Sequence, residues 1–463
     1  MVSSSPVPQA ARITLALQAN GLMTAGALAE SLGVSQPTLS RWMASLGPAI
    51  ERIGAARATQ YALRRRIRNL GSEWPVYRLG ESGQASQWGT LRALHGGFRF
   101  VTAGDSPAWL SAEYPRGFFS GLPFFLQDIR PQGYHGRAIA RAVSPSLNVS
   151  VDPRAWSDDD LVAYLLGEGC DLPGNLILGD RALEQALRRT PASDVIPEDE
   201  RVALYPLRAD AAQRGEAVGA SAGGEQPKFL STVRRPDGAL VSVIVKFSAA
   251  EPSPVRDRWA DLLLCEHLAA GVLNHHGISA ARTLICEGGG RRFLEVERFD
   301  RFNAVGRRGL LTLGAIEDAF LDETPADPAW ATVANQLNSA GLIDTTNARE
   351  LRWRWCFGDL IANTDMHRSN TSLWFGDTFP FFLTPSYDML PMQFAPGAQG
   401  ELSERVFSPR PPLPGIQEVW QQAAQAAAEF WSAVISDERI SSEFRAIARN
   451  AEATVGELRT RFN

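Results

Sequence analysis

Four stretches of this 463-residue chain carry side chains suited to phosphate chemistry. The first is GASAGGEQPKFL (219–230). Gly219, Gly223 and Gly224 let backbone N–H groups approach and cradle a phosphate, with Ser221, Ala222, Glu225, Gln226 and Lys228 completing the loop. Alone, such a stretch is only a turn. The second is Lys246 in VIVKFS. Val243, Val245 and Phe247 alternate with it, so its side chain leaves the opposite face of a strand. An ammonium there is costly unless it meets an anion or reaches water at a sheet edge. Glu266, one helix later, is placed to orient it, and Asp261 competes for that role.

The third stretch, ANTDMHRSNTSLW, sets Asp365 and Asn370 five residues apart. This offers a carboxylate to take a hydroxyl proton and a carboxamide oxygen to ligate Mg²⁺. His367 between them is either a metal ligand or, lacking a partner His or Cys, a hydrogen-bonded loop histidine. The fourth, TPSYDMLP, supplies Asp388, with Tyr387 and Met389 to pack beneath it. Each stretch is weak by itself. Their order (Gly loop, Lys, Glu, Asp-x4-Asn, Asp) is the one that Mg-ATP phosphoryl transfer requires, with Asp365 as base, Lys246 on the phosphates, and Asn370 and Asp388 on the metal. Lys228 and Lys246 are also the only lysines among 46 basic residues.

The elements around these residues follow from pattern. STVRRPDGALVSVIVKFS reads as a hairpin turning at Asp237–Gly238. A helix is expected over 257–270, then strands in ARTLICE and RRFLEVERF. From Gly314 the chain reads as mostly helical, with loops and short strands at 357–392. SPRPPLPG (408–415) reads as an extended linker before C-terminal helices. A sheet lobe with one helix, followed by a helical lobe, is bilobal. Residues 71–205, rich in Gly, Pro and aromatics, read as a small sheet with long turns; Ser157 caps a helix there. Asp128, His135 and Arg137 in that region read as structural or interface groups.

The first seventy residues read as three short helices. Thr24 and Ser35 are N-caps, Gly33 makes the turn, and Pro37 lies in the first turn of the third helix. This helix-turn-helix layout places Ser35, Gln36, Thr38, Ser40 and Arg41 to meet bases or phosphates. IERIGAARATQYALRRR follows as a winglike hairpin with Arg57 at a basic tip. Eight Arg against two Glu give this segment about +6, which leaves about −11 for the rest of a chain whose total is −5. A small helical bundle with a solvated Arg face is the other reading.

Hydrophobic content of 44% and charged content of 21% are those of an ordinary globular protein. The four cysteines are far apart and are expected to be buried thiols of a reducing, cytoplasmic compartment. The N-terminus lacks a signal-peptide pattern, and no apolar run approaches bilayer-spanning length, so no membrane partner is expected.

SAGGEQPKF, VKFS, VERFDR, TDMHRSN and SYDMLP, in this order, resemble the HipA toxin kinases, serine/threonine kinases of bacterial toxin–antitoxin modules. The resemblance covers roughly 75–450. A usual HipA receives its DNA-binding part from a separate antitoxin; the helix-turn-helix fused here resembles the YjjJ (HipH) branch. The resemblance implies an α+β fold: a bilobal protein-kinase-like body with an N-terminal winged helix-turn-helix domain. Its parts would be 1–70 for DNA binding, 71–205 as a small β-rich subdomain, 206–310 as the sheet lobe, and 311–463 as the helical lobe.

It also implies that Lys246, Glu266 and His367 belong to the ATP site. Backbone groups of Glu297 and Phe299 would meet adenine, with Asp300 near the ribose. Ser221 would be autophosphorylated, ejecting the loop and silencing the enzyme. The implied partners are ATP, Mg²⁺, a translation-related protein substrate, operator DNA, and an antitoxin or a second copy of the chain. Met366 and Arg368 stand where HipA proteins commonly show Gly and Lys; Arg keeps a charge able to bind phosphate. Two other readings of the same residues are a DNA-binding transcription regulator whose kinase-like body is a non-catalytic sensor or dimerisation unit, and a small-molecule kinase.

Overall fold

The computed structural model describes residues 8–44, 46–54, 58–188, 195–214, 226–321, 329–397, 399–402 and 405–462. Of the positions singled out above, 219–225, which include Ser221, Ala222, Gly223, Gly224 and Glu225, lie outside the described residues, as do Arg57 and the side chain of His135.

The chain opens with α1 (Gln9–Asn20), β1 (Met23–Thr24), α2 (Ala25–Leu32), α3 (Gln36–Ala44), β2 (Ile50–Ile53) and β3 (Gln60–Leu63). Thr24 caps α2 by accepting from the Ala27 N–H at 3.1 Å, and Gly33 ends it at φ +65°, a left-handed conformation that glycine adopts without penalty. Ile13, Leu17, Leu28, Leu32, Leu39 and Leu63 form a small core, and the strands pair in the order β1-β3-β2. Ile53 and Ala62 pack on Leu94 of the next sheet.

That sheet, β7-β6-β5-β4-β8, uses β4 (Glu73–Leu79), β5 (Ala85–Leu94), β6 (Gly97–Thr102), β7 (Phe118–Phe119) and β8 (Leu176–Leu178). Five helices are threaded among and after these strands: α4 (Ala108–Glu113), α5 (Phe124–Gln127), α6 (Gly133–Leu147), α7 (Asp158–Glu168) and α8 (Asp180–Arg188). Ser157 and Asp160 close a capping box on α7, as the sequence leads one to expect. The region is otherwise more helical than a β-rich reading allows. Pro123 opens α5 in what reads as an apolar strand, while Gly136 and Pro145 mask the helical period of α6.

A second five-stranded sheet, β12-β13-β11-β10-β9, follows. It consists of β9 (Val195–Pro197), β10 (Lys228–Arg234), β11 (Leu240–Phe247), β12 (Thr283–Gly288) and β13 (Arg291–Glu297), covered by α9 (Arg201–Arg214) and α10 (Pro254–His275). The Asp237–Gly238 turn forms as expected: Gly238 adopts φ +85° and the Asp237 carboxylate accepts from the Ala239 N–H at 2.9 Å. Because β9 joins β10 in parallel and Tyr205 packs against Phe229 and Phe293, the division expected at 205/206 falls inside a helix of this sheet unit.

After the short pair β14 (Arg301–Phe302) and β15 (Gly306–Arg307), the remainder is largely helical. It contains β16 (Leu310–Thr312), α11 (Leu313–Phe320), α12 (Trp330–Ser339), α13 (Thr345–Leu360), β17 (Ser372–Trp374), β18 (Phe382–Leu383), α14 (Gln417–Ser436) and α15 (Ser442–Arg461). β16 straddles the expected 310/311 division. One continuous core runs from Trp109 and Phe125 of the first five-stranded sheet unit through Phe375 to Trp420 and Trp431. Among the described residues no helix is long and apolar enough to cross a membrane.

Candidate active site

Lys246 occupies the face of β11 opposite Val243, Val245 and Phe247, which are buried against α9. Its side chain is enclosed, at 7% exposure, so the edge-strand alternative fails. The ammonium lies 2.7 Å from both Glu266 oxygens and also bonds Asp388 Oδ1. Glu266 is supplied by α10, whose position is set by the Ser253 cap, Pro254 in the first turn and its packing on β13. Asp261, the competing carboxylate, is turned to Ser441, accepting from its N–H at 2.9 Å and its hydroxyl at 2.6 Å. Lys228 pairs directly with Lys246 in the β10–β11 register, so both lysines leave the same face of the sheet. Like charges on a non-anionic surface would repel.

The charge balance of this cluster is legible in its pKa directions. Burial would depress the Lys246 pKa, but Asp388 and Glu266 together raise it above the ordinary lysine value. Burial would raise Asp388, yet the Lys246 and Lys228 ammoniums hold it well below the usual carboxylate range. Glu266 goes the other way, because its burial outweighs the attraction of Lys246 and the Asp388 charge opposes it. Asp388 also sits at φ +56°, left-handed backbone that costs a non-glycine residue about 1–3 kcal/mol.

Two loops are locked together beside this cluster. Asn363 accepts from the Asp365 N–H at 3.0 Å and donates to the Asp388 carbonyl at 3.2 Å, joining the loop after α13 to the Asp388 turn. Tyr387 is half-buried; its hydroxyl donates to Ser369 O at 3.1 Å and lies 2.7 Å from Ser372 Oγ. Met389 is buried beneath, as expected. Asn370 donates to Asp365 O at 2.7 Å, which leaves its Oδ1 as an acceptor. The Asp365 side chain is about half exposed, 3.8 Å from His367 Nε2, and His367 Nδ1 accepts from the Ser369 N–H at 3.3 Å. His367 is thus a hydrogen-bonded loop histidine. Arg368 is anchored at 3.0 Å to Glu317, which is buried in α11, and at 3.3 Å to Asp318.

Two expected ligands are engaged elsewhere. The Asp300 carboxylate is buried and receives Arg298, Arg301 and the Gly174 N–H, the last at 2.9 Å; it fastens β14 to the 171–174 turn. Gln226 donates its amide to Phe247 O at 2.5 Å, tying the loop exit to β11. Phe299 packs against Trp374 and Tyr387, and the Glu297 carboxylate pairs with Arg235 at 2.8 Å; both residues border the sheet end where β13 passes into β14. Asn363 is the functional position that motif reading passes over. Its signal is an Asn two residues before Asp365, a spacing suited to side-chain–backbone bonding.

At the N-terminus, Ser35 just before α3 and Gln36, Ser40 and Arg41 on it are exposed and Thr38 is partly so; Arg41 donates to Thr38 Oγ1 at 3.3 Å. The positive excess of the segment is partly used internally. Glu51, 3% exposed, takes Arg64 at 2.7 Å, Arg92 at 2.8 Å and Arg99; Arg65 pairs with Asp159 at 2.7 Å, and Arg68 with Asp160. Arg92 and Arg99 belong to β5 and β6, so Glu51 fastens the β2–β3 hairpin to the body.

The sequence also matches known families. Residues 70–187 match the family model described as YjjJ-like toxin, middle domain, and residues 220–455 that described as HipA-like C-terminal domain. The chain is 34% identical over 440 residues to toxin YjjJ of Escherichia coli (strain K12), covering 95% of this chain and 96% of that one. Among solved structures, a chain of the Shewanella oneidensis MR-1 toxin–antitoxin complex of HipA, HipB and operator DNA superposes with a TM-score of 0.55 at 17% identity, over 84% of this chain and 97% of that one. Likeness to the Helicobacter pylori proinflammatory kinase CtkA is more distant, with a TM-score of 0.35 at 11% identity, over 52% of this chain and 92% of that one. Two family models matching in order, and a relative alike along nearly the whole chain, place this protein among the YjjJ-like toxins of the HipA family.

Proposed function

We propose that this protein is an ATP- and Mg²⁺-dependent serine/threonine protein kinase that carries its own DNA-binding module. The observation that carries the reading is the Lys246 ammonium held between Glu266 and Asp388, on a turn that Asn363 ties to Asp365. A buried lysine with two carboxylates, beside a loop offering an Asp and an Asn, has the donor types that a metal–triphosphate needs. Among the described residues no cluster of three or more His, Cys, Asp or Glu could hold a metal unaided. A carboxylate and a carboxamide oxygen are donors that suit Mg²⁺, which is commonly held by one or two protein oxygens together with substrate phosphates. Asp388 and the Asn370 carboxamide oxygen would hold it.

Bound Mg-ATP would supply the γ-phosphoryl group, whose bond to the β–γ bridging oxygen breaks as the acceptor oxygen bonds to phosphorus, leaving ADP. Asp365 orients the acceptor hydroxyl and takes its proton. Lys246, and Lys228 beside it, balance phosphate charge. Glu266 keeps Lys246 from swinging away. Backbone groups at Glu297 and Phe299 border the place for the base. Ser221 is the autophosphorylation site in this reading: a phosphate there would compete with those of ATP for the same lysines.

For the N-terminal module we infer a winged helix-turn-helix that meets DNA through Ser35, Gln36, Thr38, Ser40 and Arg41 of α3 and through Arg57. The exposed polar face of α3 supports this. In the Shewanella complex the toxin–antitoxin pair is solved with operator DNA; here the DNA contact would come from the same chain. An antitoxin or a second copy of the chain, and a protein substrate, complete the expected partners.

The test is incubation with γ-labelled ATP and Mg²⁺, comparing wild type with Asp365→Ala. A loss of label of about 10²- to 10⁴-fold is expected for removal of a general base. Equal labelling of both proteins, or no nucleotide binding by either, sinks the reading. Phosphopeptide mass spectrometry should locate label on Ser221. DNA association should weaken steeply with salt and fall on Arg41→Ala; association that survives removal of residues 1–70 excludes the module.

A further inference from the structure

Beside the loop that carries Asp365 lies a recess of about 610 Å³. Its volume is in the range of built ligand sites, roughly 300–1,000 Å³. One wall is aromatic: Tyr114, Phe119 and Phe124, with ring centroids 4.5 Å and 5.6 Å apart around Tyr114. The facing wall is Ala315 and Asp318 of α11, and Arg368 of the catalytic loop closes one side.

The two walls are fastened to each other. The Tyr114 hydroxyl donates to Ala319 O at 2.6 Å, and Asp128 receives the Thr312 N–H and hydroxyl at 2.8 Å and 2.5 Å. The recess is therefore preorganised, which lowers the entropy lost on binding. Its rim charge is also set. Asp128 and Asp318 line the recess, and Arg368 is shared between the fully enclosed Glu317 and the exposed Asp318, so acidic groups exceed basic ones there. The aromatic wall lies within the stretch matched by the YjjJ-like middle-domain model, and the opposite wall within that matched by the HipA-like model.

We propose that this recess holds the acceptor segment of the protein substrate: an extended peptide that seats one large apolar side chain among Tyr114, Phe119 and Phe124 and sets a basic residue opposite Asp318. The inference rests on the kinase reading above. Continuity with the catalytic loop selects this occupant. A segment seated here passes Arg368 and Ser369, three and four residues from Asp365, where its hydroxyl oxygen would bond to the γ-phosphorus, its proton would pass to Asp365 and ADP would leave. Selectivity would then be written by the YjjJ-like middle part of the chain as well as by the catalytic part.

The experiment is a positional-scanning library of serine-centred peptides, offered to the full chain with Mg-ATP. Wild type should prefer a Leu, Met or Phe at one fixed position and Arg or Lys at another, by about tenfold to a hundredfold over Ala. Ala315→Trp, which fills the recess, should erase the apolar preference. Asp318→Arg, on an exposed side chain that tolerates replacement, should reverse the charge preference toward Glu and Asp. The proposal is overturned if wild type transfers phosphate without preference, or if Asp318→Arg keeps the wild-type profile. A wild type that binds no ATP and transfers no phosphate, even to itself, overturns the kinase reading and this inference with it.

Discussion

Around Lys246 one cation is enclosed by two carboxylates; around Glu51 one carboxylate is enclosed by three guanidiniums. The two clusters are near mirror images in charge, and their neighbours explain what each does. At Glu51 the surplus positive charge is partly met by Glu73, which takes Arg64 at 3.2 Å and Arg92 at 3.1 Å, and the guanidiniums keep 19–26% contact with water. Nothing further needs to bind. At Lys246 the two carboxylates face Lys246 and, across the β10–β11 register, Lys228; Lys246 and Glu266 are enclosed, while the left-handed Asp388, 32% exposed at its side chain, borders the Asp365 loop. The two clusters thus share one chemistry and differ in the sign of the charge at the centre and in what borders them.

The sharpest way to break this comparison is Lys246→Ala. It strands the enclosed Glu266 carboxylate and removes a partner of the partly exposed Asp388, so a loss of about 3–5 kcal/mol of local stability is expected. Native-state hydrogen exchange of β11 and β13 reads it. Unchanged protection there would mean that the cluster is not held by the lysine. Glu51→Ala should cost less, about 3 kcal/mol, since the arginines it strands are 19–26% exposed whereas Glu266 is 5% exposed. Its loss should appear in exchange at β2 and β3 and leave β11 untouched; an effect shared by both sheets would show that the two regions are one unit.

The pH dependence should run in opposite directions. Burial would raise Glu51, but Arg64, Arg92 and Arg99 together hold its pKa below the ordinary carboxylate value. Its contribution is therefore present at neutral pH and lost as pH falls below about 4. The raised Lys246 value has the reverse sign: its contribution is present below the ordinary lysine value and lost as pH climbs past about 10.4. The Tm difference between wild type and Glu51→Gln should shrink on acidification, and that between wild type and Lys246→Met on alkalinisation. Matching trends would remove the distinction.

Smaller effects sharpen it. Asn363→Ala leaves the Asp388 carbonyl without that donor, and about 1–2 kcal/mol should be lost at the Asp388 turn, seen in exchange of residues 387–390. Arg68→Ala removes a pair with Asp160 whose side chains are 33% and 22% exposed, and a change under about 1 kcal/mol is expected in thermal unfolding. A larger loss would show that the surface pairs, rather than Glu51, fasten the N-terminal segment.

Much of the cleft was readable from residue order. The alternation that leaves Lys246 on the face away from Val243, Val245 and Phe247 fixes its direction, and the helix that brings Glu266 to it follows from its cap and length. What could not be read depends on contacts distant in sequence. Asp300 reads as a ligand in VERFDR, but Arg298 and Arg301 flank it and Gly174, 126 residues earlier, completes its enclosure. Glu51 reads as a lone acid in a basic segment; its arginines arrive from 13, 41 and 48 residues away. Apart from α7, whose Ser157 cap marks it in the sequence, the helices of 108–188 escaped: α4 and α5 are only six and four residues long and are held by tertiary packing around Trp109 and Phe125, and α6 is interrupted by Gly136 and Pro145.

The lysine pairing in the β10–β11 register has a practical corollary. With arginine at all 44 other basic positions, the side-chain amines of this chain are confined to two adjacent residues on one face of one sheet. An acylating reagent, useless as a site-specific probe on most proteins, is confined here to the α-amine and this one place. With the α-amine blocked, lysine modification and its protection by a nucleotide can be followed by intact mass, without separating one labelled position from dozens.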